Sequence, residues 1–374
     1  MTRIHDLNQA GQSIWFDYID RSLLATGGLK RLVEQGVTGV TSNPSIFEKA
    51  ITGSADYDDD IAHLASMGFS GEEIYESLAR RDIARAADIL LPVYMRTGGA
   101  DGFVSLEVSP KIAFDEEATF EEAARLFASL GHPNVMIKVP ATEPGLVAAT
   151  RLIGAGVNVN LTLIFSVNHY IRAAECYLNG LSMLRDQGPQ VPGGLSQDRV
   201  ASVASVFVSR TDSLLDPVLR EKGRPDLAGK MAIATAKVVY AEFGRLFSGP
   251  AWDSLAGEGA RVQKPLWAST STKSPDLPDT VYVDELIGPD TVNTLPPNTL
   301  LAFLDHGAVA QTLAAGRAEA EAALAGAAAL GMDLDFAMDK LQHDGLGAFA
   351  KSFSSLVKSI SLKREAFLSE KKIA

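Results

Sequence analysis

The sequence of 374 residues is poor in cysteine, has fewer basic than acidic residues and contains no long apolar run. Its single cysteine, Cys176, excludes an internal disulfide and a cysteine-based metal cluster. There are 34 Lys and Arg against 46 Asp and Glu, a formal net charge of −12, which leaves no broad basic surface for nucleic acid or anionic lipid. No apolar stretch approaches the roughly 18 residues needed to span a bilayer, and the first residues lack the apolar core of a signal peptide. We therefore expect a cytoplasmic protein without nucleic-acid or membrane partners, although local cationic groups can still bind a small anion.

Motifs for metals and nucleotides are also missing. The six histidines are scattered without ligand spacing, and we expect them to be surface or structural residues: His5, His63, His132, His169, His306 and His343. No G-x-G-x-x-G segment follows a predicted strand, which argues against dinucleotide binding. We expect no metal and no organic cofactor.

What the sequence does contain is a regular alternation of short β-rich runs with longer helical patterns. The predicted strands are residues 13–19, 37–43, 102–108, 134–141, 157–165, 203–209, 265–270 and 291–296. Strands separated by helices form right-handed parallel crossovers, and eight such units close into a barrel of roughly 250 residues or more. We therefore predict an α/β protein with a (β/α)8 TIM barrel. The competing architecture, an open doubly wound sheet, usually carries the glycine-rich turn that is missing here.

The last part of the chain, from about residue 307 to residue 374, is alanine-rich and helical without a further strand signal. We expect these extra helices to pack on the barrel or to cover part of its mouth. The Pro- and Gly-rich segments 186–198 and 273–279 have the composition of connecting loops and not of domain linkers. Residues 1–374 are therefore predicted to form a single barrel domain.

Polar residues stand at the end of almost every predicted strand. In barrels of this kind the chemistry lies at the carboxyl ends of the strands, so these residues should converge on one cavity. They are Asp17, Asn43, Glu107, Lys138, Asn160, Thr162, Ser205, Ser209 and residues 269–272.

Lys138 is the most unusual of them, because it interrupts the apolar strand "NVMIKVPA". Desolvation disfavours the charged form of a buried lysine and favours a free amine, which can attack a carbonyl carbon and form a Schiff base. The alternative is a structural lysine paired with Glu107 on the neighbouring strand. The residues alone do not decide between the two.

The other polar residues also have two interpretations each. Glu107 could be the ion-pair partner of Lys138 or a general acid/base that holds water together with the hydroxyl of Thr162. Asp17 could form a local hydrogen bond near its strand end or accept a proton from a substrate hydroxyl. Asn43 precedes a proline and fits a turn, and Asn160 is a further candidate turn residue.

Seven segments, in chain order, resemble those of transaldolases: "FDYI", "GVTSNPSIF", "SLEVSP", "IKVPAT", "NVNLTLIFS", "SVFVSR" and "LWASTSTK". Each is weak alone, but seven in order at compatible spacing are specific. The resemblance covers essentially the whole chain from about residue 13. It implies a barrel of the class I aldolase group and an enzyme of the non-oxidative pentose phosphate pathway.

The resemblance further implies that a dihydroxyacetone unit is transferred from sedoheptulose 7-phosphate or fructose 6-phosphate to glyceraldehyde 3-phosphate or erythrose 4-phosphate. Lys138 would form the Schiff base, Glu107 and Thr162 would hold the catalytic water, and Asp17 would deprotonate the donor hydroxyl. The residues that match the family's substrate site are Asn43, Asn160 and Ser205, and they would bind the hydroxyls of the donor. The protonated imine is itself the electron sink, so this chemistry needs no cofactor.

The phosphate group of such substrates requires cationic side chains. Arg210 follows "VFVS" near a predicted helix start, where a guanidinium and helix amides could bind phosphate together, although a surface salt bridge is the alternative. Shorter transaldolases carry a compact Ala-Ser-x-Arg at the seventh strand, whereas this chain has "ASTSTK" ending in Lys273, a form that resembles the longer-chain branch of the family. Lysine binds phosphate as a point charge, so the role of Lys273 is less well defined.

Two other functions are consistent with the sequence. One is a fructose 6-phosphate aldolase that releases free dihydroxyacetone, and the other is a non-catalytic barrel that binds sugar phosphates. The resemblance implies a glutamine and tyrosine pair at the water site of such aldolases, so Glu107 favours transaldolase. A binding protein has no need of a buried amine beside a proton relay. The protein is expected to be a monomer or a homodimer.

Overall fold

The computed structural model describes residues 2–373, with side chains as far as Ser369. Within this range the parallel strands pair in chain order and the last pairs with the first, so the sheet closes into a barrel. The strands are β1 (Gln12–Phe16), β2 (Gly39–Val40), β3 (Val104–Glu107), β4 (Val135–Pro140), β5 (Val159–Ile164), β6 (Ser202–Phe207), β7 (Lys264–Ala268) and β8 (Thr291–Leu295). The predicted (β/α)8 barrel is confirmed.

Helices separate all consecutive strands. They are α1 (Arg3–Gln9), α2 (Arg21–Ala25), α3 (Gly28–Glu34), α4 (Pro44–Thr52), α5 (Asp58–Ser66), α6 (Gly71–Arg96), α7 (Glu116–Leu130), α8 (Glu143–Gly154), α9 (Val167–Gln187), α10 (Ser209–Glu221), α11 (Met231–Leu246), α12 (Pro250–Gly257), α13 (Val281–Asp284), α14 (Pro297–His306), α15 (Arg317–Ala328) and α16 (Leu334–Ile373). Short 3-10 turns lie at Pro110–Ile112 and Pro225–Leu227. None of the helices between residues 2 and 373 is both long and apolar enough to cross a membrane.

The barrel strands are buried on both faces. Apart from Lys264 at the start of β7, every strand residue is buried. Parallel sheets covered by helices require this, which explains why the strands read as nearly continuous apolar runs and not as alternating ones. A polar residue inside such a strand therefore needs a partner or a function.

The predicted strands were at the right places but most were too long at their carboxyl ends. The run predicted at 13–19 ends as a strand at Phe16, and the run at 37–43 keeps only Gly39–Val40. Asn43 and Pro44 end the second run because proline has no amide hydrogen for the sheet and favours the first turn of a helix. Asp17, which we had placed in the first strand, therefore lies in the loop that follows it.

The C-terminal helix α16 packs on one side of the barrel, against α4, α5 and α6, and also contacts β5. Leu356 and Ile360 on this helix are fully buried and belong to the main apolar core. The side chain of Ser352 accepts a hydrogen bond of 2.8 Å from Ser45 on α4. We still predict that the whole chain forms one domain, and these contacts support the prediction.

The packing of α16 can be tested with two leucines of the same helix. Leu356 is fully buried and Leu362 is 58 % exposed. We expect Leu356→Ala to lower the free energy of unfolding by about 2–5 kcal/mol, because it leaves a cavity in the core. Leu362→Ala should change it by less than about 0.5 kcal/mol. Urea unfolding followed by circular dichroism measures both, and equal effects would contradict the docked position of the helix.

Candidate active site

A cavity of about 460 Å³ lies at the carboxyl ends of the barrel strands. This is the face on which (β/α)8 enzymes carry their active sites, because the loops after the strands converge there. Of the residues predicted from the sequence, those that line it are Asp17, Asn43, Lys138, Ser205, Arg210, Ser269, Ser271 and Lys273. Glu107 on β3 and Thr162 on β5 lie on either side of the strand that carries Lys138.

Lys138 lies near the end of β4, where parallel pairing puts it beside Glu107 and Asn160 of the adjacent strands. Its side chain is only 5 % exposed, and Nζ lies 3.0 Å from Oε2 of Glu107. Nζ also donates a hydrogen bond of 3.4 Å to the carbonyl oxygen of Ser42. The centre of the Phe349 ring, from α16, lies 5.6 Å from Nζ. The ion pair that was one of the two alternatives therefore forms, and the nucleophilic role stays a prediction.

The pair does not exclude the nucleophile. Burial raises the pKa of the Glu107 carboxyl, the charge of Lys138 opposes the rise, and the charge of Asp17 adds to it. A proton that passes from Nζ to this carboxylate leaves a neutral amine and a neutral acid, and a buried site favours neutral groups. That a free amine and a general acid stand side by side here stays a prediction, which this arrangement allows.

Thr162 is buried on β5, and its hydroxyl has no hydrogen-bonding partner among the described residues. Oε1 of Glu107 also lacks such a partner within residues 2–373. Buried polar groups ordinarily form hydrogen bonds, so both groups are available to a substrate or a water molecule at Lys138. Glu107 lies opposite Lys138 on β3, and Thr162 on β5 lies opposite Pro140, two residues after Lys138.

Asp17 follows β1 directly and points into the same cavity. Its Oδ1 accepts a hydrogen bond of 2.6 Å from the hydroxyl of Thr41, which in turn lies 2.6 Å from the hydroxyl of Thr294. Burial raises the pKa of Asp17, while the Thr41 hydrogen bond and the charge of Lys138 oppose the rise. A carboxylate with a raised pKa is a stronger base than an exposed one.

Asn43 is the N-cap of α4. Its Oδ1 accepts a hydrogen bond of 3.0 Å from the amide of Ile46, and its backbone is extended, as expected before proline. The predicted turn residue is therefore a helix cap, and its amide nitrogen is the atom left to contact a ligand.

Asn160 and Ser205 form a buried chain across the barrel. The Ser205 hydroxyl donates to Oδ1 of Asn160 at 2.7 Å, and Nδ2 of Asn160 donates to the Ser105 hydroxyl at 3.1 Å. Ser205 is among the described residues that line the cavity, whereas Asn160 is not. The structure thus places Asn160 beneath the cavity, where it orients Ser205.

Arg210 and Lys273 provide positive charge at the cavity, together with Lys49 on α4, which the sequence analysis missed. Arg210 is the second residue of α10, is half-buried, and lies 5.2 Å from the centre of the Phe207 ring. Burial lowers its pKa, but a guanidinium stays charged. No carboxylate within the described part of the chain lies in ion-pair distance of these three cations, which leaves their charge available to an anion.

The sequence analysis also missed Phe349, Tyr18 and Ser45 at the cavity. Tyr18 directly follows Asp17 and Ser45 comes two residues after Asn43, so their proximity to selected residues was a usable signal. Phe349 lies on α16, far along the chain, and its helical pattern gave no indication of which strand it would meet. Among residues 2–373, no group of His, Cys, Asp and Glu side chains has the arrangement of a metal site.

Comparisons with known proteins agree with this geometry. A sequence model of the transaldolase/fructose-6-phosphate aldolase family matches residues 14–360. The chain is 44% identical over 373 residues to "Transaldolase 2" of a Nostoc species, with 96% of each chain covered. It is 44% identical over 358 residues to a transaldolase of Neisseria meningitidis serogroup C, covering 96% of this chain and 99% of the relative. A transaldolase of Acidothermus cellulolyticus is 43% identical over 364 residues, with 96% of both chains covered. The chain therefore belongs to the transaldolase/fructose-6-phosphate aldolase family.

Proposed function

We propose that the protein is a transaldolase, which transfers a dihydroxyacetone unit from fructose 6-phosphate or sedoheptulose 7-phosphate to an aldose phosphate. The observation that carries the proposal is the buried pair of Lys138 and Glu107 at a cavity that also contains unpaired cations. Family membership is consistent with it. The amine would bind the ketone and the cations would bind the phosphate.

The first steps form a Schiff base. The neutral amine of Lys138 attacks the ketone carbon of the donor to give a carbinolamine, and Glu107 gives a proton to the departing hydroxyl, which leaves as water. Thr162 and Glu107 hold this water by hydrogen bonds. The product is a protonated imine in which the lysine nitrogen carries the positive charge.

The bond between the first and the second carbon counted from the imine carbon then breaks. Asp17 removes the proton from the hydroxyl two carbons from the imine carbon, and the electron pair of the bond moves into the imine to give an enamine. The aldose phosphate leaves. An acceptor aldehyde takes its place, the steps run in reverse, and water from the Glu107 and Thr162 site releases the new ketose.

Substrate binding follows from the same geometry. Arg210, assisted by Lys273, binds the phosphate, because a guanidinium can form two parallel hydrogen bonds to phosphate oxygens. The Asn43 amide and the Ser205 hydroxyl bind donor hydroxyls, and Asn160 acts on the donor through Ser205. Whether the protein is a monomer or a homodimer stays a prediction.

The Schiff base can be trapped with borohydride. Reduction in the presence of fructose 6-phosphate should give a stable adduct on Lys138, identified by peptide mapping, because borohydride reduces the imine to a secondary amine. Lys138→Met should give no adduct and no activity, whereas Lys30→Met, at an exposed lysine, should behave as the parent protein. An adduct on another lysine, or none, would rule out the mechanism.

Product analysis in the same system separates transfer from simple cleavage. With fructose 6-phosphate and erythrose 4-phosphate together, a transaldolase forms sedoheptulose 7-phosphate and glyceraldehyde 3-phosphate in equal amounts. We expect this outcome. Free dihydroxyacetone as the main product would instead make the protein a fructose 6-phosphate aldolase, with the Schiff base intact.

The pKa of Asp17 leads to a prediction about pH. Because its base form is lost as the pH falls through a pKa raised above 3.8 in the free protein, kcat/KM should begin to fall at a higher pH than for an exposed aspartate. Thr41→Val removes the hydrogen bond that opposes this rise, so it should move the acid limb to still higher pH. Thr38→Val, which alters a hydroxyl bonded to the Ile14 carbonyl, should leave the limb unchanged. If Thr41→Val does not move the acid limb, the limb reports the titration of another group.

Arg210 can be tested by comparing phosphorylated and unphosphorylated donors. Arg210→Met should lower kcat/KM for fructose 6-phosphate by about 10- to 100-fold, the effect of losing a charged hydrogen-bond partner. Activity with fructose should change little, since it carries no phosphate. The control is Arg220→Met on the same helix, where the side chain is 47% exposed and pairs with Asp276. Equal losses with both donors would show that Arg210 does not act through the phosphate.

A further inference from the structure

Gln342 on α16 joins the ends of two barrel strands. Its Nε2 donates hydrogen bonds to the carbonyl oxygen of Ala141 at 3.1 Å and to that of Leu163 at 3.0 Å. Ala141 directly follows β4, three residues after Lys138, and Leu163 follows Thr162 on β5. One side-chain amide from a distant part of the chain therefore bridges the two strands that carry the amine and the hydroxyl of the site.

Leu163 lies in an irregular part of β5. Between Leu161 and Ile164 the register with β6 shifts, as in a β-bulge, and Leu163 has a φ of +61°. A left-handed conformation costs a residue other than glycine about 1–3 kcal/mol, so the surrounding structure has to hold it in place. Bulges of this kind turn a neighbouring side chain and leave backbone groups without their ladder partners. The neighbouring side chain here is that of Thr162.

The helix approaches this bulge very closely. A Cβ atom on Gly345 would lie 2.9 Å from Cδ2 of Leu163 and 3.3 Å from a guanidinium nitrogen of Arg210. Only glycine allows α16 to come so near at this position. One turn further along, the Phe349 ring faces Lys138. Gln342, Gly345 and Phe349 therefore lie along one side of the helix, toward the cavity.

We infer that Gln342 is a positioning residue, which holds the bulge at Leu163 and thereby orients the Thr162 hydroxyl for the loss and return of water at Lys138. The inference rests on the proposed function. Its physical basis is that the amide supplies a donor to the carbonyl oxygen of Leu163, which lies where the register with β6 shifts. Without this donor the strained bulge loses part of its support, and the hydroxyl loses its fixed direction toward the water.

Gln342→Met tests the inference, because it keeps the length of the side chain and removes both hydrogen bonds. We expect imine formation with fructose 6-phosphate, measured in a single turnover by borohydride trapping, to slow by about tenfold, the effect of one lost net hydrogen bond. KM should stay within about twofold, since the residues proposed to bind substrate are untouched. Gln342→Glu, which keeps the size but replaces the donor by an acceptor, should give the same slowing.

A double-mutant cycle separates positioning from general structure. In a Thr162→Val background, Gln342→Met should slow imine formation by less than about twofold further, because the group it positions is already absent. Lys340→Met is the control on the same helix, with a side chain that is 53% exposed, and it should have no effect. Hydrogen exchange of residues 161–165 should become faster in Gln342→Met, while the melting temperature of the whole protein changes little.

The outcomes distinguish the inference from the function on which it rests. A parent protein that forms no adduct at Lys138 overturns both. If the parent protein forms the adduct and Gln342→Met forms the imine at the same rate, only the role of Gln342 is overturned. The role of Gln342 in positioning Thr162 is also overturned if the two single variants slow imine formation by factors that multiply fully in the double variant. A change in KM alone overturns it as well.

Discussion

The buried ion pair of Lys138 and Glu107 is the interaction around which the rest of the site is arranged. Two charged groups inside a parallel sheet lose their hydration, and their attraction offsets this cost only if they lie close together. Pairing of β3 with β4 places them opposite each other, with 3.0 Å between Nζ and Oε2. The pair therefore depends on the register of the barrel.

The surrounding charges act on the same pair. Burial raises the pKa values of both Glu107 and Asp17, the charge of Lys138 opposes both rises, and the charge of Asp17 adds to the rise at Glu107. Three ionisable groups from β3, β4 and the loop after β1 therefore influence one another. The unpaired Arg210 and Lys273 lie at the cavity, so a protein with a net charge of −12 presents positive charge where the proposed phosphate binds.

Much of this arrangement could be predicted from the sequence because it is local. Each strand is an apolar run followed by polar residues, and an amine inside such a run is visible as an exception. The position of α16 could not be predicted, because Gln342 and Leu163 meet across 179 positions of the chain and helical periodicity does not state which surface a helix covers. The bulge was hidden for another reason: a leucine, and not a glycine, takes the left-handed conformation.

The C-terminal helix α16 also affects whether the proposed enamine reacts with an acceptor aldehyde or with a proton from solvent. In the proposed reaction the enamine persists until an acceptor arrives, and a proton from solvent would end it as free dihydroxyacetone. The Lys138 side chain is only 5 % exposed and the Phe349 ring faces its amine, which limits this access. The acceptor must still enter, and the cavity between the cations provides its path. The C-terminal helix is therefore as much a part of the proposed chemistry as the strands, since it covers the amine while the cavity stays open to sugar phosphates.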